Sequence, residues 1–147
     1  MGKRREGREA AVQFLFQCDL CGPPEPAENF WKLRPATQKI RSFSTELVEG
    51  VLAHLDEINE RIKKYVANYD LKRIGAVERA ILRVAIYEML YCDEVPPVVS
   101  INEAIEIAKR FGAEDSGRFV NGVLDRVKLD LDRPARVARA QTESQKP

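Results

Sequence analysis

The residues whose chemistry is easiest to read crowd the N-terminus. Lys3, Arg4, Arg5 and Arg8 stand close together, against only Glu6 and Glu9. Guanidinium and ammonium groups at this density suit an anion, above all a phosphate. Residues 5–20 carry helical spacing, so these cations fall on the first turns of a helix and the arm before it. A helix N-terminus favours anions, so the placement opposes the local dipole. The charges therefore answer to something other than the helix itself, unless they form a solvated arm. Aromatic side chains are the second chemistry, because they can stack unpaired bases. Phe14, Phe16, Phe30, Trp31, Tyr87, Tyr91, Phe111 and Phe119 are the candidates, although aromatics at helical spacing more often build a core. Phe16 stands off the main apolar stripe of its helix, and Phe119 opens a helix beside Arg118, so these two stand out.

Other chemistries are weaker. Cys18 and Cys21 form a CxxC pair, and Cys92 with His54 would complete four zinc ligands. Those two completing residues are single and remote, and a redox CxxC belongs beside a βαβ pattern that this chain lacks. Three cysteines without an export signal fit reduced thiols. His54 is the only histidine and reads as a surface or half-buried side chain. There is no P-loop, GxGxxG, HExxH or GxSxG, so no catalytic set and no cofactor pattern emerges. A net charge of +1 excludes broad attraction to nucleic acid and leaves a local contact. No apolar run reaches membrane-spanning length and the opening lacks an apolar signal region, which makes the cytoplasm the default.

The elements that must position these groups are helices. Residues 77–91, VERAILRVAIYEMLY, are apolar almost all round and predict a helix enclosed by others. Its charges, Glu78, Arg79, Arg83 and Glu88, need partners or a window to solvent. Gly22-Pro23-Pro24 ends the first helix, and residues 26–33 suggest a short second one. A long helical pattern from Thr37 to about Tyr69 breaks near His54, with Asp56 as a cap and Gly50 at a close helix contact. Residues 69–75 make a connector. Ser100 and Glu103 have the spacing of a capping box, Gly112 a stop, and Asp115 or Ser116 a cap for the last helix. No segment alternates at period two. The chain reads as all-α, about seven helices, one domain over residues 1–130 and a mobile polar tail over 131–147.

Three stretches in order resemble the NusB family of bacterial transcription antitermination factors: KRREGREAAVQFLFQ, GAVERAILRVAIYEMLY and INEAIEIAKRFGAEDSGRFVNGVLD. The resemblance implies two perpendicular three-helix groups and a non-enzymatic role. It implies binding of single-stranded boxA RNA of ribosomal RNA operons, together with NusE, a small-subunit ribosomal protein. Other Nus factors and RNA polymerase complete the implied assembly. The family's arginine-rich motif falls on Lys3, Arg4, Arg5 and Arg8, here interrupted by Glu6 and Gly7. Gln13, Phe16, Asp115 and Phe119 match positions near the RNA, and Glu78 with Arg79 match the NusE side. The competing expectations are a helical adaptor or homodimer that binds proteins only, a domain like the one preceding certain ribosomal RNA cytosine methyltransferases, and a zinc-dependent role.

Overall fold

A computed structural model describes residues 2–66 and 74–132, with side chains from 4–66 and 74–131. These residues form helices and no strand: α1 (Gly2–Cys21), α2 (Glu28–Leu33), α3 (Gln38–Ala53), α4 (Leu55–Tyr65), α5 (Ala76–Tyr91), α6 (Pro97–Phe111) and α7 (Ser116–Asp132). The chain is all-α, as its periodicity predicts. No helix is long and apolar enough to cross a membrane among the described residues. The connector expected over 69–75 lies mostly outside the described residues. Of the tail expected over 131–147, residues 131 and 132 belong to α7 and the rest lies outside the described residues.

Local chemistry sets the breaks. Gly22 adopts φ 85°, and its N–H donates to the Cys18 carbonyl at 3.0 Å, closing α1. The left-handed region is open to glycine without steric cost. Thr37 caps α3 by accepting from the Ile40 N–H at 3.3 Å. The break between α3 and α4 falls at His54, at φ −118°. Asp56 is therefore not the cap; it sits with Glu57 in the first turn of α4, where carboxylates complement the dipole. The Ser100–Glu103 capping box is also corrected. Pro97 occupies the first turn of α6, where its missing N–H costs nothing, and the helix starts there. Ser100 is consequently buried inside the helix, and Glu103 serves an ion pair.

α5 is the enclosed helix. It packs against α1, α3, α4, α6 and α7. Ala80, Ile81, Leu82, Val84, Ala85, Ile86 and Met89 are all buried, joined by Leu47, Ile58, Ile62, Ile107, Val120 and Leu124 from the surrounding helices. Gly50 marks a close approach: a Cβ there would lie 2.1 Å from Cζ of Tyr87. Phe30 and Trp31 of α2 form a smaller cluster with Ala10. Phe14 completes it edge-on, its ring centroid 5.2 Å from that of Phe30. Those three aromatics are thus packing groups.

Candidate nucleic-acid interface

α1 carries most of the predicted contacts, and its neighbours sort them. Arg4, Arg5 and Arg8 do not form one row of equivalent cations. Arg8 is only 4% exposed, and its Nε and Nη2 donate to the two Glu88 oxygens at 2.8 and 2.9 Å. A second carboxylate, Glu103, lies 3.7 Å from its Nη1. This corrects the expectation that Arg8 holds phosphate: its guanidinium is committed inside the bundle. Arg5 is half-exposed and makes a two-bond pair with Glu103, at 3.0 and 2.8 Å. The bonds from Arg5 hold the Glu103 carboxyl below its ordinary range, with further help from the charge of Arg8. The same pairing raises the pKa of Arg5. Arg4 is exposed and lies over the Phe43 ring, 4.9 Å from its centroid. The side chain of Lys3 lies outside the described residues.

Arg5, Glu9, Val12 and Phe16 follow one line along α1, at spacings of three and four residues. Arg5 meets Glu103, and buried Glu9 meets Arg110 of α6 at 3.1 Å, so both helices advance in the same direction. Two turns further along that line stands Phe16, half-buried against the core. Beyond the end of α6, the turn into α7 carries Asp115 and Phe119. The Phe119 N–H donates to the Asp115 carbonyl at 3.1 Å, which makes Asp115 the residue that opens α7. Asp115 and Phe119 share a groove of about 350 Å³ with Glu78, Ser116 and Ile74. The Ser116 hydroxyl donates to Glu78 Oε2. The structure thus brings Glu78, expected on the protein-partner side, together with two residues expected at RNA.

Gln13 and Arg79 are placed differently. The Gln13 side-chain carbonyl accepts from Arg34 Nε. Arg79 donates to Asp19 at 2.9 Å and to the Ile74 carbonyl at 2.8 Å. Arg83 joins it on Asp19, at 3.0 and 2.8 Å. Arg79 therefore ties α5 to the end of α1. Sequence reasoning passed over Arg110, which is well exposed beyond its Glu9 contact and lies 5.2 Å from the Phe111 ring centroid. Its position inside the KRFGAEDSGRF stretch was the available signal.

The NusB family profile matches residues 5–128. The transcription antitermination protein NusB of Bacillus subtilis is 46% identical over 132 residues, covering 88% of this chain and 98% of that one. The chain belongs to the NusB family. That of Desulfatibacillum aliphaticivorans is 44% identical over 133 residues, covering 89% of this chain and 93% of its own. Among solved structures, T. maritima NusB superposes with a TM-score of 0.75 at 37% identity, over 84% of this chain and 89% of that one. A crystal structure of the antitermination factors NusB and NusE in complex with dsRNA superposes with a TM-score of 0.77 at 26% identity, over 86% and 96%. NusB proteins are transcription antitermination factors and not enzymes.

Cys18 and Cys92 are half-buried, and burial raises both thiols, Cys92 to about 11. Among the described residues, no three His, Cys, Asp or Glu side chains gather to hold a metal ion. His54 stacks on Tyr91, with ring centroids 4.0 Å apart.

Proposed function

We propose that this chain is a transcription antitermination factor that binds single-stranded boxA RNA of ribosomal RNA operons together with NusE, and that joins RNA polymerase with other Nus factors. The observation that carries this is the likeness, over 86% of this chain, to a NusB solved with NusE and dsRNA. The geometry supports it. Exposed Arg4 and half-exposed Arg5 stand at the start of α1, half-buried Phe16 stands toward its end, and Asp115 and Phe119 share the groove at the start of α7. Arg4 and Asp19 are separated by about 22 Å of helix. A stacked strand advances about 3.4 Å per nucleotide, so roughly six nucleotides bridge that length. Arginines, with Lys3 beside them, hold phosphate and set register without reading sequence. Phe16 and Phe119 stack bases, and Asp115 accepts from a base amino group. Gln13 supports this face through Arg34. Glu78 takes NusE at the edge of the groove, with Arg79 holding α5 in place behind it.

Transcription of a boxA-bearing template through a terminator, with RNA polymerase, NusE and the remaining Nus factors, tests the reading. Adding this chain raises read-through, and a template with scrambled boxA loses the gain. Read-through that ignores the chain would overturn the proposal. The protein-only homodimer is the competing reading, and light scattering with and without RNA separates the two.

A further inference from the structure

Arg4 borders two grooves, and their linings differ in charge. One, of about 340 Å³, contains Glu94 and Glu103 beside Arg4 and Arg8. Two carboxylates make it a poor place for a phosphate. The other, of about 380 Å³, runs between α1 and α3 and is lined by Arg4, Lys39, Ile40 and Phe43, with no carboxylate among the described residues. Lys39 is exposed and makes no ion pair among the described residues. It stands in the first turn of α3, which holds no acidic residue, so this cation too opposes its own helix dipole.

Phe43 organises the groove. Its ring lies under the guanidinium groups of both Arg4 and Arg8, at 4.9 and 5.6 Å. The ring can sit there only because residue 7 is glycine: a Cβ on Gly7 would stand 2.5 Å from Phe43 Cδ2. The interruption of the arginine-rich run thus makes room for an aromatic platform. Arg4 rests on that platform and is exposed, so its N–H groups are available to an anion.

We propose that the α1–α3 groove holds the phosphodiester backbone of the bound RNA strand, with Lys39 and Arg4 as its phosphate contacts. This extends the RNA path from the α1–α6–α7 face across the first turn of α1 onto α3, and it rests on the RNA-binding function proposed above. Neither residue reads a base here, so the contribution is independent of sequence.

The test is fluorescence anisotropy of labelled boxA-type and scrambled RNA strands across salt, with the full chain, Lys39→Gln, and Lys63→Gln as a control. Lys63 is exposed on α4, beside Glu60. Losing one phosphate contact lowers the log–log salt slope by about 0.7, or about fivefold in affinity near 0.1 M salt. Lys39→Gln shows that loss on both strands with unchanged helicity, while Lys63→Gln binds like the parent. Unchanged affinity and slope for Lys39→Gln, with the parent still preferring boxA, would overturn the groove alone. Equal losses for both variants would also overturn it, because the effect would then be long-range charge. A parent that binds neither strand would remove the function and the groove together.

Discussion

At the scale of the residue, Arg4 and Arg8 show how one side-chain type divides its work. They sit four positions apart and both lie against the Phe43 ring, yet one is exposed and the other buried against Glu88. Breaking a buried ion pair by removing one partner leaves an uncompensated charge and costs about 3–5 kcal/mol. Arg8→Ala therefore loses stability of that order in urea denaturation, whereas Arg4→Ala loses under about 1 kcal/mol. Equal losses would show that Arg8 is not held as described. Glu103 sets a pH dependence. Its carboxyl titrates below the ordinary value of 4.5 in the folded protein, chiefly because Arg5 donates to it. The stabilisation is complete above the unfolded value and is lost as pH falls through the lowered folded one. Glu103→Gln accordingly flattens the acid limb of the stability curve below about pH 4.5. An acid limb identical to the parent's would contradict this. None of this pairing was legible in the sequence, because the partners of Arg5 and Arg8 lie 98 and 80 positions away. The sequence displayed the cations and concealed the carboxylates that claim them.

At the scale of the element, helices were legible wherever apolar spacing was strong. α5 appears one residue from its expected start because an all-round apolar run has no other soluble solution than enclosure. Caps were less legible. Ser100 and Glu103 had the right spacing, but Pro97 begins α6 earlier and turns both side chains inward. Asp56 likewise yields to the break at His54. Gly7 gives the sharpest test of how α1 meets α3. On propensity alone, Gly7→Ala would stabilise α1 by about 1 kcal/mol. Its Cβ would instead press on the Phe43 ring, and overpacking costs about 1–3 kcal/mol. The variant is expected to be less stable than the parent by denaturant midpoint and to bind RNA more weakly through a displaced Arg4. A raised midpoint would show that α1 and α3 are not in that contact.

At the scale of the molecule, α5 fixes five helices around itself, and α1 is buried from Gly7 to Val12 with its two ends more open. The fold and the family were legible together, since the three matching stretches span α1, α5 and the α6–α7 corner. The assembly of the interface was not: Glu78 joins Asp115 and Phe119 only once α5 and α7 pack. The central claim is that this face binds a specific unpaired RNA strand with the help of a protein partner. The most direct measurement is anisotropy of a labelled boxA-type strand and a scrambled one, with and without NusE, across salt. Two to four phosphate contacts predict a log–log slope of roughly −1.4 to −2.8 for single-stranded RNA. The account predicts tighter binding to the boxA strand, strengthened further by NusE. Equal weak binding to both strands, unaffected by NusE, would contradict it.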